Sequence, residues 1–110
     1  MQMHFYKNEK LIKDIIVKNF DDFRYEINDE DTKMEIIIKP DIIITRDSED
    51  AYFKLDISNN SCIYKLKSYN LCYDIDVIQS RFSESSDEIV IEYRLNTDEE
   101  LNKIIIKKDV

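Results

Sequence analysis

The chain has 110 residues, 43% of them hydrophobic, carries a net charge of −8, and contains no glycine and one proline. Its length fits a single domain and its hydrophobic fraction argues against disorder, while the absence of glycine excludes P-loops, dinucleotide-binding turns and GxSxG nucleophile elbows. The acidic balance argues against nucleic acids and anionic membranes as partners, because these need clustered lysine and arginine.

The first predicted element is a short amphipathic helix over residues 9–20. Apolar residues recur there at helical spacing, with lysine and aspartate on the opposite side. Asn8 suits the capping position, and Glu9 suits the first helical turn. A strand is the alternative, because the run 15–17 consists of β-branched residues.

From residue 23 onward the apolar residues alternate with polar ones, which is typical of half-buried strands. Pro40 marks a corner or an edge, and residues 58–61 read as a hairpin turn in which asparagine takes a positive φ. The predicted strands are 23–27, 33–39, 41–46, 53–57, 64–67, 71–77, 89–95 and 103–108. This pattern predicts an all-β fold, an antiparallel meander of about eight strands that forms one small barrel or sandwich over residues 1–110.

From about Phe23 to the C-terminus, the layout resembles a bacterial family of uncharacterised lipocalin-like (calycin-like) β-barrel proteins. The matching stretches are KMEIIIK, IIITRDS, YKLKSYNLCYDIDVIQSRF, DEIVIEYRL and NKIIIKK. The family carries glycine at hairpins where this chain has Asp47, Ser48 and Asn70, and its first hairpin is absent or replaced by residues 1–20. The resemblance implies a calycin-like barrel without established activity, and it supplies no catalytic residues.

Residues that carry catalytic chemistry are sparse in this sequence. His4 is the only histidine and has no acidic neighbour at helical or strand spacing, so a serine or cysteine triad has no convincing base. His4, Cys62 and Cys72 do not have zinc-ligand spacing, and the acidic turns lack the spacing and the glycine of an EF-hand. We therefore expect no metal and no cofactor. The two cysteines either pair across a hairpin or stay reduced and buried.

One pair of acidic residues is a candidate for catalysis. Asp74 and Asp76 share a face of one predicted strand, and Arg81 follows nearby. Such pairs usually face solvent, and they would form a site only if that face lined a barrel lumen. We accordingly expect the protein not to be an enzyme.

Tyrosines suggest the leading function. Tyr64, Tyr73 and Tyr93 lie in predicted strands, where their rings could line an apolar pocket inside a small barrel; packing in the core or at an edge is the alternative. The sequence thus predicts a non-catalytic protein that binds a small apolar or aromatic ligand. A cytoplasmic location is expected, because residues 1–20 do not form a secretory signal and no apolar run could cross a membrane.

The acidic turns suggest the alternative function. Carboxylates gather at 29–31, 47–50 and 98–100, which would suit an interaction module of inhibitor or immunity type that mimics a polyanion for a basic protein. In addition, the three isoleucine triplets place apolar groups on both faces of their strands. A homodimer that covers one of these faces is therefore a further expectation.

Overall fold

The structure is a computed structural model that describes residues 1–21 and 23–108. All regular elements within these residues are β-strands, and every strand pair is antiparallel, which confirms the all-β prediction. The strands are β1 (Gln2–Lys7), β2 (Lys10–Ile16), β3 (Lys18–Asp21), β4 (Arg24–Asp29), β5 (Thr32–Ile37), β6 (Ile43–Asp47), β7 (Ala51–Asp56), β8 (Ser61–Leu66), β9 (Leu71–Asp74), β10 (Val77–Glu84), β11 (Glu88–Leu95) and β12 (Asn102–Lys107). No helix that could cross a membrane occurs in this described part of the chain.

The chain divides into two units, one of which combines both ends of the sequence. This terminal unit comprises Met1–Val17 and Val77–Val110. Its five-stranded sheet has the order β10-β11-β12-β1-β2. Ile89 and Ile91 of β11 lie opposite Ile106 and Ile104 of β12, and all four side chains are fully buried. Val90 and Ile105 separate these residues, lie opposite each other on the other face and are half-buried, so both faces of this sheet carry apolar side chains.

The central unit, Lys18–Asp76, is a seven-stranded meander in which β3 to β9 lie in chain order. A buried row crosses five adjacent strands, with one residue from each of β4 to β8 directly opposite the next. Its members are Tyr25, Ile36, Ile44, Leu55 and Cys62. The pairing of the strands, which the alternation from residue 23 onward did not specify, brings these five side chains into one row.

The predicted helix over residues 9–20 is wrong, and the alternative of a strand is correct. Asn8 and Glu9 have φ values of 47° and 66° and form a two-residue turn between β1 and β2. Two successive positive φ values are typical of the hairpin turn that matches strand twist. Leu11 is exposed and Ile16 is 78% exposed, so the apolar residues at helical spacing do not form a buried stripe.

The predicted strand number is too low, because β1, β2 and β3 precede the first predicted strand and because the alternating run 71–77 belongs to two strands. β9 ends at Asp74 in the central unit, and β10 begins at Val77 in the terminal unit and extends to Glu84. Alternation continues across this change of sheet, so the pattern alone could not reveal it. Neither sheet closes into a barrel within the described residues, since β10 and β2 end one order and β3 and β9 end the other.

Asparagine builds turns in place of glycine, as predicted. Asn60 and Asn70 have φ values of 55° and 50°. The β7–β8 turn is held further by Asp56, which accepts a hydrogen bond from the Asn59 backbone at 3.1 Å and another from its side chain at 2.8 Å. Pro40 lies between β5 and β6, at the predicted corner. Short polar side chains that bond to nearby backbone thus supply the turn geometry.

Candidate functional site

One face of the central sheet passes from a buried centre to an exposed aromatic edge. Met34, Arg46, Phe53, Tyr64 and Tyr73 lie directly opposite one another on β5 to β9. Directly opposite residues share a face of an antiparallel sheet, so these side chains form one row. Met34 is buried, Phe53 and Tyr64 are half-buried, and Tyr73 is 47% exposed. The row therefore presents its aromatic rings increasingly to solvent toward β9.

The neighbouring row adds apolar contact area to the same edge. Leu66 of β8 lies opposite Leu71 of β9, and each lies two residues along its strand from a tyrosine of the first row. Leu66 is half-buried and Leu71 is 44% exposed. We name the set Phe53, Tyr64, Leu66, Leu71 and Tyr73 the aromatic face. It covers the end of the sheet formed by β7, β8 and β9.

The polar groups of this region are free to bind. Among the described residues, the hydroxyls of Tyr64 and Tyr73 have no hydrogen-bond partner, and the exposed guanidinium of Arg46 has no ion-pair or hydrogen-bond partner. Tyrosine and arginine combine apolar area with directional donors, and both are enriched among the residues that dominate protein interfaces. Arg46 lies directly opposite Phe53 in the row.

The three tyrosines predicted to bind ligand do not form one group within either unit. Tyr64 and Tyr73 are a directly opposed pair in the central unit. Tyr93 lies on β11 of the terminal unit, is 6% exposed, and lies opposite Asn102. Sequence reasoning omitted Phe53, Leu66 and Leu71 from the site. All three belong to alternating runs in the sequence, but the strand register that aligns them with the two tyrosines was not visible there.

The acidic pair considered for catalysis is exposed and split between two segments. Asp74 is the last residue of β9, and Asp76 lies beyond the end of that strand. Arg81 is exposed on β10 of the terminal unit, opposite Glu92. The assumption that Asp74 and Asp76 share a face of one strand is therefore wrong.

His4 has an acidic neighbour across the β1–β2 hairpin, at a separation that its spacing in the sequence did not indicate. Its Nδ1 contacts Oδ1 of Asp14 across the β1–β2 hairpin, where the two residues are directly opposite. Residues Ile105, Val90 and Ser83 continue this row on β12, β11 and β10. Ser83 is three strands from His4, about 14 Å at the usual strand spacing of about 4.8 Å, so this serine is too far to be activated.

Cys62 and Cys72 do not form a disulfide, so the predicted pairing of the two across a hairpin is wrong. Lys65, and not Cys62, lies opposite Cys72. Cys62 shares the buried face of Tyr64, whereas Cys72 is on the other face and exposed. A disulfide would need the two side chains to approach on one face.

A polar depression of about 450 Å³ lies where the β4–β5, β6–β7 and β8–β9 turns meet. Its wall includes the carboxylates of Glu30, Asp31 and Glu49. Lys67 spans the depression by donating to Asp47 Oδ1 at 2.6 Å and to the Ser48 carbonyl at 2.8 Å. No group of three potential metal ligands occurs in the described part of the chain. This end of the central unit is thus acidic, with a lysine already neutralised by its neighbours.

Comparisons with protein-family models, with curated proteins and with solved structures found no match to this chain.

Proposed function

We propose that this is a non-catalytic binding protein that recognises another protein through the aromatic face of its central unit. The observation that carries the proposal is the opposed pair Tyr64 and Tyr73, whose rings are partly exposed and whose hydroxyls are free among the described residues. Aromatic side chains lose little conformational entropy on binding and bury a large area, which suits them to a protein contact. A cytoplasmic location belongs to the same proposal.

A protein partner is favoured over the small ligand expected from the sequence. A small apolar ligand needs a concave site that covers most of its surface. The aromatic face lies on an open sheet and extends to an edge strand, β9, in which all four residues are exposed. An exposed face of this kind can be covered by another protein surface. Membership of the calycin-like family stays a prediction.

A second candidate function is supported by the acidic end of the central unit. The β4–β5 and β6–β7 turns bring together carboxylates that are distant in sequence, at residues 29–31 and 47–50. Together they contribute six carboxylates, against the ammonium groups of Lys33 and Lys67. Such a concentration of negative charge would attract a basic protein and accelerate its association at low ionic strength. This is the polyanion-mimic alternative.

Site-specific photocrosslinking distinguishes the two candidates. A benzophenone amino acid replaces Tyr73 on the aromatic face, Glu49 at the acidic end, or Asn59 in the exposed β7–β8 turn as the matched control. In cells that express the protein, we expect a discrete protein adduct from position 73, none from position 59, and loss of the adduct when Tyr64→Ser is added. An adduct from position 49 alone would favour the acidic end, and equal adducts from all three would contradict both candidates.

A further inference from the structure

We infer that the segment recognised by the aromatic face is an extended strand with alternating apolar and basic side chains, which adds to the open edge of β9. The inference rests on the proposed function, because Leu71 and Tyr73 of the aromatic face belong to β9. Beyond that function, we infer the conformation of the partner segment, the backbone atoms of β9 that hold it, and the charge of the segment's side chains. Strand addition to a free sheet edge is a general mode of peptide recognition.

Of the four edge strands in the described structure, β9 is the one suited to accept another strand. β2, β3 and β10 each have a register shift against their neighbour, whereas β9 pairs with β8 without interruption. Bulges twist an edge and block further pairing, and basic side chains also protect edges. β2, β3 and β10 each contain lysine or arginine, but β9 contains neither. The edge of β9 therefore lacks both forms of protection.

The backbone groups that would hold the added strand can be identified. The N–H of Ile75 donates to the carbonyl of Cys62 on β8 at 2.9 Å. Because the bonding direction alternates along an antiparallel strand, the groups of Tyr73 and Leu71 also point toward β8. The N–H and C=O groups of Cys72 and Asp74 point to the open edge. A strand that adds in the antiparallel sense used throughout this sheet would form hydrogen-bonded pairs with these two residues.

The side chains of β9 determine the chemistry of the partner. Residues opposite Cys72 and Asp74 would lie on the same face as the Asp74 carboxylate. The carboxylates of Asp74 and Asp76 are exposed and have no partner among the described residues. Lysine or arginine fits opposite Asp74, whereas Lys65 occupies the same face opposite Cys72. The net charge of −8 favours a basic segment over a second copy of this acidic chain. Residues that alternate with them would lie beside Leu71 and Tyr73 and would be apolar.

Peptides that alternate valine and lysine test this arrangement. The probe is the acetylated and amidated peptide Val-Lys-Val-Lys-Val-Lys-Val, in two forms that carry N-methyl groups either on every lysine or on every internal valine. Because the lysines would lie opposite Cys72 and Asp74, their own N–H groups would point to β9. We expect methylation of the lysines to weaken binding at least tenfold and methylation of the valines to have little effect. A peptide with glutamate in place of lysine should bind at least tenfold more weakly.

The protein side of the test uses one position with two substitutions. Cys72→Pro removes an N–H at the open edge, where proline is tolerated in a strand, and Cys72→Ala keeps it. We expect Cys72→Pro to lose peptide binding and Cys72→Ala to retain it. Nuclear magnetic resonance should show slower hydrogen exchange of the amides of Cys72 and Asp74 when peptide is bound, with the amides of Leu71 and Tyr73 already protected without peptide.

Three results would overturn the inference. They are equal binding of the two methylated peptides, equal binding of the lysine and glutamate peptides, and protection of Cys72 and Asp74 that rises with protein concentration alone. The last would show that a second copy occupies the edge. If Cys72→Pro fails to fold, the methylated peptides still decide the question with the natural chain. Photocrosslinking from position 73 without any peptide binding would leave the proposed function intact and reject strand addition.

Discussion

Asn102 donates a hydrogen bond from Nδ2 to Oδ2 of Asp98 at 2.9 Å, and this contact closes the connection between β11 and β12. Asn102 is the only buried polar or charged side chain in the described part of the chain, and it also donates to the carbonyl of Tyr93 at 3.4 Å. The same Asp98 oxygen accepts from the backbone N–H of Leu95 at 3.1 Å. A buried amide is thus satisfied by a turn residue that also anchors the end of a strand.

Replacing this amide should destabilise the protein. We expect Asn102→Ala to lower the free energy of unfolding by about 1–3 kcal/mol, because the acceptors at Asp98 and Tyr93 lose a buried donor. Urea unfolding followed by circular dichroism measures the change. The matched control is Asn96→Ala in the exposed part of the same connection, for which we expect a change within about 0.5 kcal/mol. Equal effects of the two substitutions would contradict a special role for Asn102.

The absence of glycine leaves two glutamates in left-handed backbone, and glycine at these positions should stabilise the fold. Glu9 and Glu30 have φ values of 66° and 54°. Glycine adopts this region without a Cβ clash, so we expect Glu9→Gly and Glu30→Gly each to raise the free energy of unfolding by about 0.5–1 kcal/mol. Glu100→Gly, at an exposed position without a positive φ, is the control and should give no gain. Thermal unfolding of the three variants decides the matter.

A cross-strand ion pair with Glu88 should raise the pKa of Lys107. The hydrogen bond from Lys107 to the Glu88 carboxylate, at 2.5 Å, raises the pKa of Lys107 above its ordinary value of 10.5. A raised pKa in the folded state means that the pair stabilises the fold below about pH 10.5 and that this contribution is lost as the pH rises through the folded pKa. Glu88→Gln should remove the elevation, as measured by a resonance titration of the Lys107 side chain. Because the ammonium is exposed, high salt should weaken the effect.

The two thiols should differ in reactivity. Cys72 is exposed at the edge of the sheet, and Cys62 is buried. We expect a maleimide reagent to modify one thiol in the folded protein and two in denaturant. Cys72→Ser should abolish labelling of the folded protein. Rapid modification of both thiols without denaturant, or formation of an intramolecular disulfide, would contradict the register that places Cys72 opposite Lys65.

Much of the central sheet could be predicted from the sequence because side-chain alternation identifies strands and their faces, whereas the register depends on which strands pair. Apolar and polar residues alternate with a period of two at 23–27, 53–57 and 64–67, as side chains on the two faces of a strand do. The turn at Asn60 was also predictable, since few residues other than glycine and asparagine tolerate a positive φ. Residues 9–20 were wrongly predicted to form a helix because their apolar residues fit a helical spacing. The two-residue turn at Asn8 and Glu9 instead joins β1 and β2 as a hairpin.

By itself the sequence indicated that most of the protein is β-structure, that its turns are made without glycine, and that several classes of nucleotide and hydrolase site are excluded. These properties depend on local backbone preference and on side-chain alternation. Only the tertiary structure decided that Tyr64 meets Tyr73, that His4 contacts Asp14, and that the run 71–77 is divided between two sheets. Each of these depends on which strands pair and in what register, and a change of register by one residue would move every side chain to the opposite face.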